Sequence, residues 1–185
     1  MQRLMRSALA LLFVLSIANQ VWAQAQTLAP HMPRGTATDI SNATIEALIK
    51  AKGPAVGDNM IRMVDVGPMN VGVTVLGYAE TKTPRTSGVE HSGLAEVYYV
   101  MKGEATFVTG GTVVSSTDMA SDNQIVKTLS GPTSQVTVKD VVVRKVGPGD
   151  VIIVPPNTPH WASDVTSDIV FLVVRIDPKK LVQTK

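Results

Sequence analysis

The sequence predicts an all-β fold with antiparallel strands, preceded by one short helix. Seven segments are rich in β-branched and aromatic residues, from IRMVDV at residues 61–66 to DIVFLVVRI at residues 168–176. Gly, Pro, Asn and Asp separate these segments at short intervals, as turns between strands do. Many short strands divided by such turns are typical of a β-sandwich or barrel.

The helix is predicted immediately before the first strand. Ser41 is one of three cap-type residues that precede the segment TIEALIKAK, and Ile45 and Ile49 fall on one face of it. Gly53 followed by Pro54 supplies the signal that ends it. Further along, residues 110–134 are rich in Ser, Thr and Gly. We expect this stretch to be a long excursion between strands, either an extended hairpin or a lid.

The N-terminal residues have the pattern of a secretory signal peptide. Arg3 and Arg6 precede an apolar run, and small residues acceptable to a signal peptidase follow at Ala23 and Ala25. The run is shorter than the ~20 residues that a membrane-spanning helix needs. The predicted organisation is a signal peptide at 1–23, a flexible arm at 24–38 and a β domain with its short helix at 39–185. This predicts a periplasmic or secreted protein without a stable membrane anchor after cleavage.

Charge and cysteine content exclude several classes of function. The full chain has 17 basic and 15 acidic residues, and loss of Arg3 and Arg6 would leave 15 of each. A neutral surface offers no footprint for nucleic acid or for anionic lipid. The chain has no Cys, which excludes disulfides, thiolate ligands and cysteine nucleophiles. About 160 residues of mature chain are ample for one hydrophobic core, which must then stabilise the fold.

Two of the chain's three histidines lie in segments that indicate a metal site. His91 and Glu96 belong to VEHSGLAEVYYVMKG, residues 89–103, and His160 belongs to GPGDVIIVPPNTPHW, residues 147–161. Two imidazoles and a carboxylate are ligand types that borderline divalent metals prefer. A carboxylate buried without a partner beside two imidazoles would be costly, which also favours a bound cation.

These two segments resemble the two short motifs of the cupin family, which has a jelly-roll β-barrel. The resemblance covers roughly residues 60–177, and each motif keeps its spacing. The matching positions are His91, Glu96 and Gly103 in the first motif, and Gly149, Pro155 and His160 in the second. The resemblance therefore implies an antiparallel jelly-roll β-barrel, cupin-like, with one short N-terminal helix.

The chain departs from the family pattern at four positions. Thr83 and Val89 replace the initial Gly and first His of the first motif, and Asn157 and Asp164 replace a Gly and an Asn of the second. Asn157 is a mild change because Asn tolerates the left-handed conformation. Val89 removes a fourth ligand, because strand alternation points it in the same direction as His91.

The resemblance implies a metal held by His91, Glu96 and His160, with coordination positions left open for a substrate. The metal would be iron, manganese, zinc, copper or nickel. The implied activity is that of a metalloenzyme acting on a small molecule, of the dioxygenase, isomerase or lyase type. The alternatives are a non-catalytic binding protein for a sugar or other small molecule, and an envelope assembly protein. Family resemblance also allows a homodimer formed by exposed strand edges.

Three other residues are weaker candidates for the site. Tyr98 has the same strand parity as Glu96, so it is a candidate catalytic proton donor or substrate contact. Its alternative role is that of a core aromatic residue. Arg144 and Arg175 lie on strand-like segments, where either could meet an anionic substrate. We expect both on the surface, which is the usual place for arginine.

Overall fold

A computed structural model describes residues 35–53 and 56–184 of the 185-residue chain. The predicted signal peptide, at residues 1–23, and most of the predicted arm, at residues 24–38, lie outside the described residues. Residues 35–38 are exposed and have no regular secondary structure. Among the described residues, no helix is both long enough and apolar enough to cross a membrane.

The predicted helix, α1, runs from Asn42 to Lys52. The side chain of Ser41 caps it by accepting a hydrogen bond from the backbone N–H of Thr44 at 3.2 Å. Gly53 ends it with φ of 72°, a conformation that glycine adopts without strain. The apolar face of α1 packs on the outside of the sheet, where its two buried isoleucines contact Val75 and Val170.

Nine strands follow within the described residues, and every pairing between them is antiparallel. The strands are β1 (Gly57–Asp65), β2 (Asn70–Tyr78), β3 (Gly88–His91), β4 (Ala95–Thr109), β5 (Thr112–Asp118), β6 (Thr133–Lys139), β7 (Val142–Val146), β8 (Val151–Val154) and β9 (His160–Asp177).

Two long strands, β4 and β9, run through two layers of sheet. One layer has the order β1-β2-β9-β4-β8, and the other has β5-β6-β3-β9-β4-β7. Register shifts between β4 and β9, from Val100 to Phe107, mark where both strands pass from one layer to the other. This is the antiparallel jelly roll that the sequence predicts. The hydrogen bonds among the described strands do not close the sheet into a ring.

Buried side chains from both layers form the main core. Tyr98, Phe107 and Phe171 lie at its centre, with ring centroids 5.3 to 6.0 Å apart and edge-to-face orientations. Aromatic rings prefer this arrangement, and each pair stabilises the fold by about 0.5–1.5 kcal/mol beyond the burial of its area. The three rings also form part of the wall of a cavity between the layers.

The stretch 110–134 contains a hairpin-like extension and an irregular connection. β5 pairs with β6, and the chain between them includes a five-residue π-helical turn, Val126–Ser130. The backbone N–H of Gln183, near the C-terminus, donates to the carbonyl of Lys127 in this turn at 3.1 Å. The interpretation as an extended hairpin is therefore correct for β5 and β6, whereas the connection between them packs over one side of the cavity.

Candidate metal centre

The cavity between the two layers has a volume of about 370 Å³. His91 lines it from the end of β3 and His160 from the start of β9. Glu96, the second residue of β4, lies next to both histidines and is fully buried. All three side chains are buried, and one candidate ligand atom from each lies within 4.8 Å of the others. The fold thus brings together residues that are up to 69 positions apart in the chain.

The distances between these atoms fit a shared metal ion. Nε2 of His160 lies 3.0 Å from Oε2 of Glu96, and Nε2 of His91 lies 3.6 Å from the same oxygen. Ligands about 2.1 Å from one metal, at angles of about 90–109°, lie about 3.0–3.4 Å from each other. The distance from His160 to Glu96 falls within this range and that from His91 to Glu96 is slightly above it, so the three residues could hold one divalent cation after a small movement of the His91 ring.

The tautomer of His160 is fixed by the backbone. Its Nδ1 lies 2.9 Å from the carbonyl oxygen of Thr158. A carbonyl only accepts hydrogen bonds, so Nδ1 carries a proton and Nε2 is the nitrogen that can bind a metal. Nε2 lies 3.0 Å from the carboxylate of Glu96. Two acceptors at this distance repel each other unless a cation or a proton lies beside them.

The tautomer of His91 is fixed in the same sense by Thr133. The hydroxyl of Thr133 donates its one proton to the carbonyl of Gly131 at 2.9 Å, so it accepts from Nδ1 of His91 at 2.8 Å. Burial lowers the pKa of His91 from 6.5 to about 4, so the ring is neutral near pH 7. Its Nε2 lone pair also faces the centre. Imidazoles that bind metals are held in this way by a partner at the other ring nitrogen.

Arg175 is buried beside the site, which contradicts the expectation that it lies on the surface. Its Nε donates to Oε1 of Glu96 at 2.8 Å, and its two terminal nitrogens bind the carboxylate of Asp58 at 2.6 and 3.3 Å. Only 2% of its surface is exposed. Arg175 lies directly opposite Glu96 in the pairing of β4 with β9, so both side chains point inward.

The ion pair changes the electrostatic argument for a cation. Burial by itself raises the pKa of Glu96, but the guanidinium of Arg175 and the two neighbouring imidazoles lower it well below its ordinary value. Glu96 is therefore ionised and has a partner, so the premise that it is buried without one was wrong. Since Asp58 neutralises Arg175, the group still has a net charge of about −1 when both imidazoles are neutral.

Tyr98 also reaches the site. Its hydroxyl donates to Oε2 of Glu96 at 2.8 Å, and its side chain is buried. Burial and the nearby charge of Glu96 raise its pKa well above 10, so it stays protonated. The tyrosine that parity placed on the cavity side thus contacts the oxygen on which the two histidines converge.

Two departures from the family pattern have the consequences that the sequence predicts. Val89 pairs with His160 across β3 and β9 and lines the same cavity as His91, where its isopropyl group offers no ligand atom. Asn157 has φ of 57°, the left-handed conformation that asparagine tolerates. Its backbone N–H donates to the carbonyl of His91 at 2.8 Å, which ties the turn before β9 to the end of β3.

Sequence reasoning missed several residues around the cavity. Arg85, Asp58 and Thr133 contribute to the cavity or to the bonds around it, but each lies in a segment without a recognisable motif. Arg175 could have been found, because alternate residues of β9 point inward from Ile169 onward. Arg144 is exposed on β7, as expected, and donates to the hydroxyl of Thr109 at 2.9 Å.

The chain is similar to several solved structures, all at low sequence identity. BH2720 from Bacillus halodurans is 15% identical, with 84% of this chain and 89% of that chain covered and a TM-score of 0.44. A protein with a double-stranded β-helix domain from Klebsiella pneumoniae is 18% identical, with 66% and 80% covered and a TM-score of 0.38. A cupin superfamily protein from Desulfitobacterium hafniense is 16% identical, with 68% and 78% covered and a TM-score of 0.34.

Family assignment rests on the sequence. No curated protein matches the chain. The family model described as Cupin matches residues 90–184, which is just over half of the 185 residues. That range contains β4 to β9, and with them Glu96 and His160 as well as His91 at its beginning. The chain therefore belongs to the cupin family.

Proposed function

We propose that this cupin binds a divalent metal through His91, Glu96 and His160 and acts as a metalloenzyme on a small molecule in its cavity. The proposal depends on one observation above all. Both imidazoles have Nδ1 bonded to a fixed acceptor, so both direct Nε2, the nitrogen that can bind a metal, toward the same carboxylate oxygen. A bound metal would supply Lewis acidity toward an oxygen atom of the substrate.

The residues around the ligands would hold the substrate and exclude water. Arg175 fixes the plane of Glu96 through Oε1 and leaves Oε2 directed at the histidines. Tyr98 provides a protonated hydroxyl at the same oxygen. Leu76 and Phe171 contribute apolar surface to the cavity wall, which would limit the access of water to a bound substrate. The ligand set suits iron, manganese, zinc, copper or nickel, and the reaction class is that of a dioxygenase, isomerase or lyase.

Metal content after purification without a polyhistidine tag tests the proposal. The wild-type protein is expected to retain close to one metal per chain by elemental analysis, and His160→Ala is expected to lose it. His31→Ala, which changes the chain's third histidine, is the control and should retain the metal. Circular dichroism would show that each variant is folded. A His160→Ala protein that keeps stoichiometric metal would rule out this ligand set.

A second candidate function is a binding protein that needs no metal. The observation in its favour is that both oxygens of Glu96 already accept hydrogen bonds, Oε1 from Arg175 and Oε2 from Tyr98. A proton on one of the two histidines could then balance the remaining negative charge of the group without a metal. Under this alternative, treatment with a chelator leaves small-molecule binding intact, and the wild-type protein contains no metal. Loss of ligand binding on metal removal would instead support the metalloenzyme.

We also propose that the protein is exported. The pattern of residues 1–23 supports this, with two arginines before an apolar run and a site for signal peptidase. Expression of the full chain in a bacterium, followed by N-terminal sequencing of the periplasmic fraction, is the direct test. The mature protein is expected to begin at Gln24 or Gln26. An intact N-terminus in the cytoplasm would contradict export.

A further inference from the structure

The charged side chains that line the cavity are not equivalent. Arg175 is fully engaged by two carboxylates, as described above, and Asp58 pairs with it. Arg85 is the remaining basic residue that lines the cavity. Its guanidinium forms no ion pair with a carboxylate in the described part of the chain. Arg85 is exposed at the edge of the cavity, and none of the described carboxylates pairs with its charge.

The backbone of Arg85 is held firmly, although the residue lies in the connection between β2 and β3. Its N–H donates to the carbonyl of Ser163 at 3.0 Å. Its carbonyl accepts from Nε1 of Trp161 at 3.0 Å and from the hydroxyl of Ser163 at 2.8 Å. Three hydrogen bonds thus fix the backbone of Arg85 against Trp161 and Ser163 of β9.

The side chain of Arg85 is also oriented in advance. Its guanidinium carbon lies 4.2 Å from the centre of the Tyr78 ring, and Nη1 donates to the carbonyl of Ala162 at 3.3 Å. A guanidinium has five N–H donors in a planar fork, and this bond uses one of them. The remaining donors match the two oxygens of a carboxylate, which arginine binds in a bidentate manner.

We propose that Arg85 forms an anion subsite and that the cavity takes a small organic carboxylate. The carboxylate binds Arg85 at the opening, and the body of the molecule extends along apolar and aromatic walls toward the histidines. Phe107, Phe171 and Trp161 contribute to these walls, and about 370 Å³ accommodates an acid of roughly ten non-hydrogen atoms. The inference rests on the proposed function only in taking this cavity as the place where substrate binds.

A matched pair of probes tests the subsite. Benzoate and benzamide have nearly the same shape, but only benzoate is an anion. In protein freed of metal by a chelator, titration calorimetry or NMR shifts should show benzoate binding about tenfold more tightly than benzamide, because hydrogen bonds to a charged group are the stronger ones. Arg85→Gln is expected to reduce this ratio to about one. Arg144→Gln, which removes an exposed arginine from β7, should leave it unchanged.

The outcomes separate this proposal from the proposed function. A wild-type protein that does not prefer benzoate would overturn the subsite, as would an Arg85→Gln variant that keeps the preference. If Arg85→Gln weakens both probes equally and lowers thermal stability, Arg85 has only a structural role and the subsite is overturned. Elemental analysis of the same preparations before chelation reports on the metal site independently. If elemental analysis finds no metal, the comparison of benzoate with benzamide still tests the subsite.

Discussion

At the scale of single residues, the site depends on the partners of its histidines. Thr133 accepts a hydrogen bond from Nδ1 of His91 and so keeps the Nε2 lone pair directed at the cavity. We predict that Thr133→Val lowers metal affinity by about 10–100-fold, because the imidazole loses the partner that fixes its tautomer and orientation. Competition with a chelator of known affinity would measure the change.

The control for this prediction is Thr137→Val, at an exposed position further along the same strand, β6. It makes the same chemical change without contact with the histidine, so metal affinity should stay at the wild-type level. Equal affinities for the two variants would mean that Thr133 does not orient His91.

The buried imidazole of His91 also predicts a dependence of stability on pH. Its pKa falls from 6.5 to about 4 in the folded protein because burial disfavours the cation. Between these values the unfolded chain binds a proton that the folded chain does not. The free energy of unfolding therefore keeps its full value above pH 6.5 and decreases by about 3 kcal/mol as the pH falls to 4.

Denaturant unfolding of the metal-free protein at pH 7 and at pH 4.5 measures this loss. The His91→Gln variant lacks the titrating group, so its free energy of unfolding should fall less over the same range. Glu96 does not affect this comparison, because its pKa in the folded protein is lowered. The stability that its ionised form contributes is lost only as the pH falls below 4.5, its ordinary pKa. An equally steep fall in both proteins would show that His91 titrates normally.

Residue type and motif spacing predicted the three candidate ligands. They did not predict which other polar side chains are buried beside these ligands. His91, Glu96 and His160 have side chains whose chemistry is distinctive, so their motifs indicate a common site. Arg175 was expected on the surface because arginine usually is. Strand alternation in β9 could have placed it inward, but its pairing with Glu96 depends on a register that local sequence does not specify.

At the scale of elements, the long strand β4 depends on a glycine. Gly103 has φ of 78° and lies among the register shifts between β4 and β9. A Cβ at this position would overlap the carbonyl group of Asp168. We predict that Gly103→Ala lowers the free energy of unfolding by roughly 2–4 kcal/mol, from backbone strain and from the displacement of β9.

Gly110→Ala is the matched control for this prediction. Gly110 has a similar φ of 69°, but a Cβ there would meet nothing within 4 Å. Only the conformational cost then applies, which is about 1–2 kcal/mol. Denaturant titrations of both variants would compare the two costs. A loss at Gly103 no larger than at Gly110 would mean that β9 adapts easily to the side chain.

The same glycine explains how the predicted elements differ from the observed ones. Two of the seven β-rich segments, AEVYYVM at residues 95–101 and EATFVTGG at residues 104–111, read as separate strands in the sequence, whereas the structure has the single strand β4. Gly103 bends the chain without ending the strand, because β9 continues to pair with it on both sides. The helix was predicted more closely, since its cap at Ser41 and its end at Gly53 are local signals.

At the scale of the whole molecule, the site exists only because the two layers are assembled. β3, β4 and β9 each supply one of the three candidate ligands, and these strands pair only when the jelly roll has formed. Pattern and turn chemistry predicted the class of fold. The order of strands and the joining of both layers by β4 and β9 depend on contacts between distant residues, which periodicity alone does not contain.

Since the unfolded chain does not hold the three ligands together, a bound metal must stabilise the folded state. At a free metal concentration 100 times the dissociation constant, the gain is about 2.7 kcal/mol. For a domain of this size, that corresponds to a rise in Tm of about 5–10 °C. Scanning calorimetry of the metal-free protein, with and without added divalent metal, measures it. His160→Ala should show almost no rise, and an equal rise in both proteins would place the bound metal elsewhere on the chain.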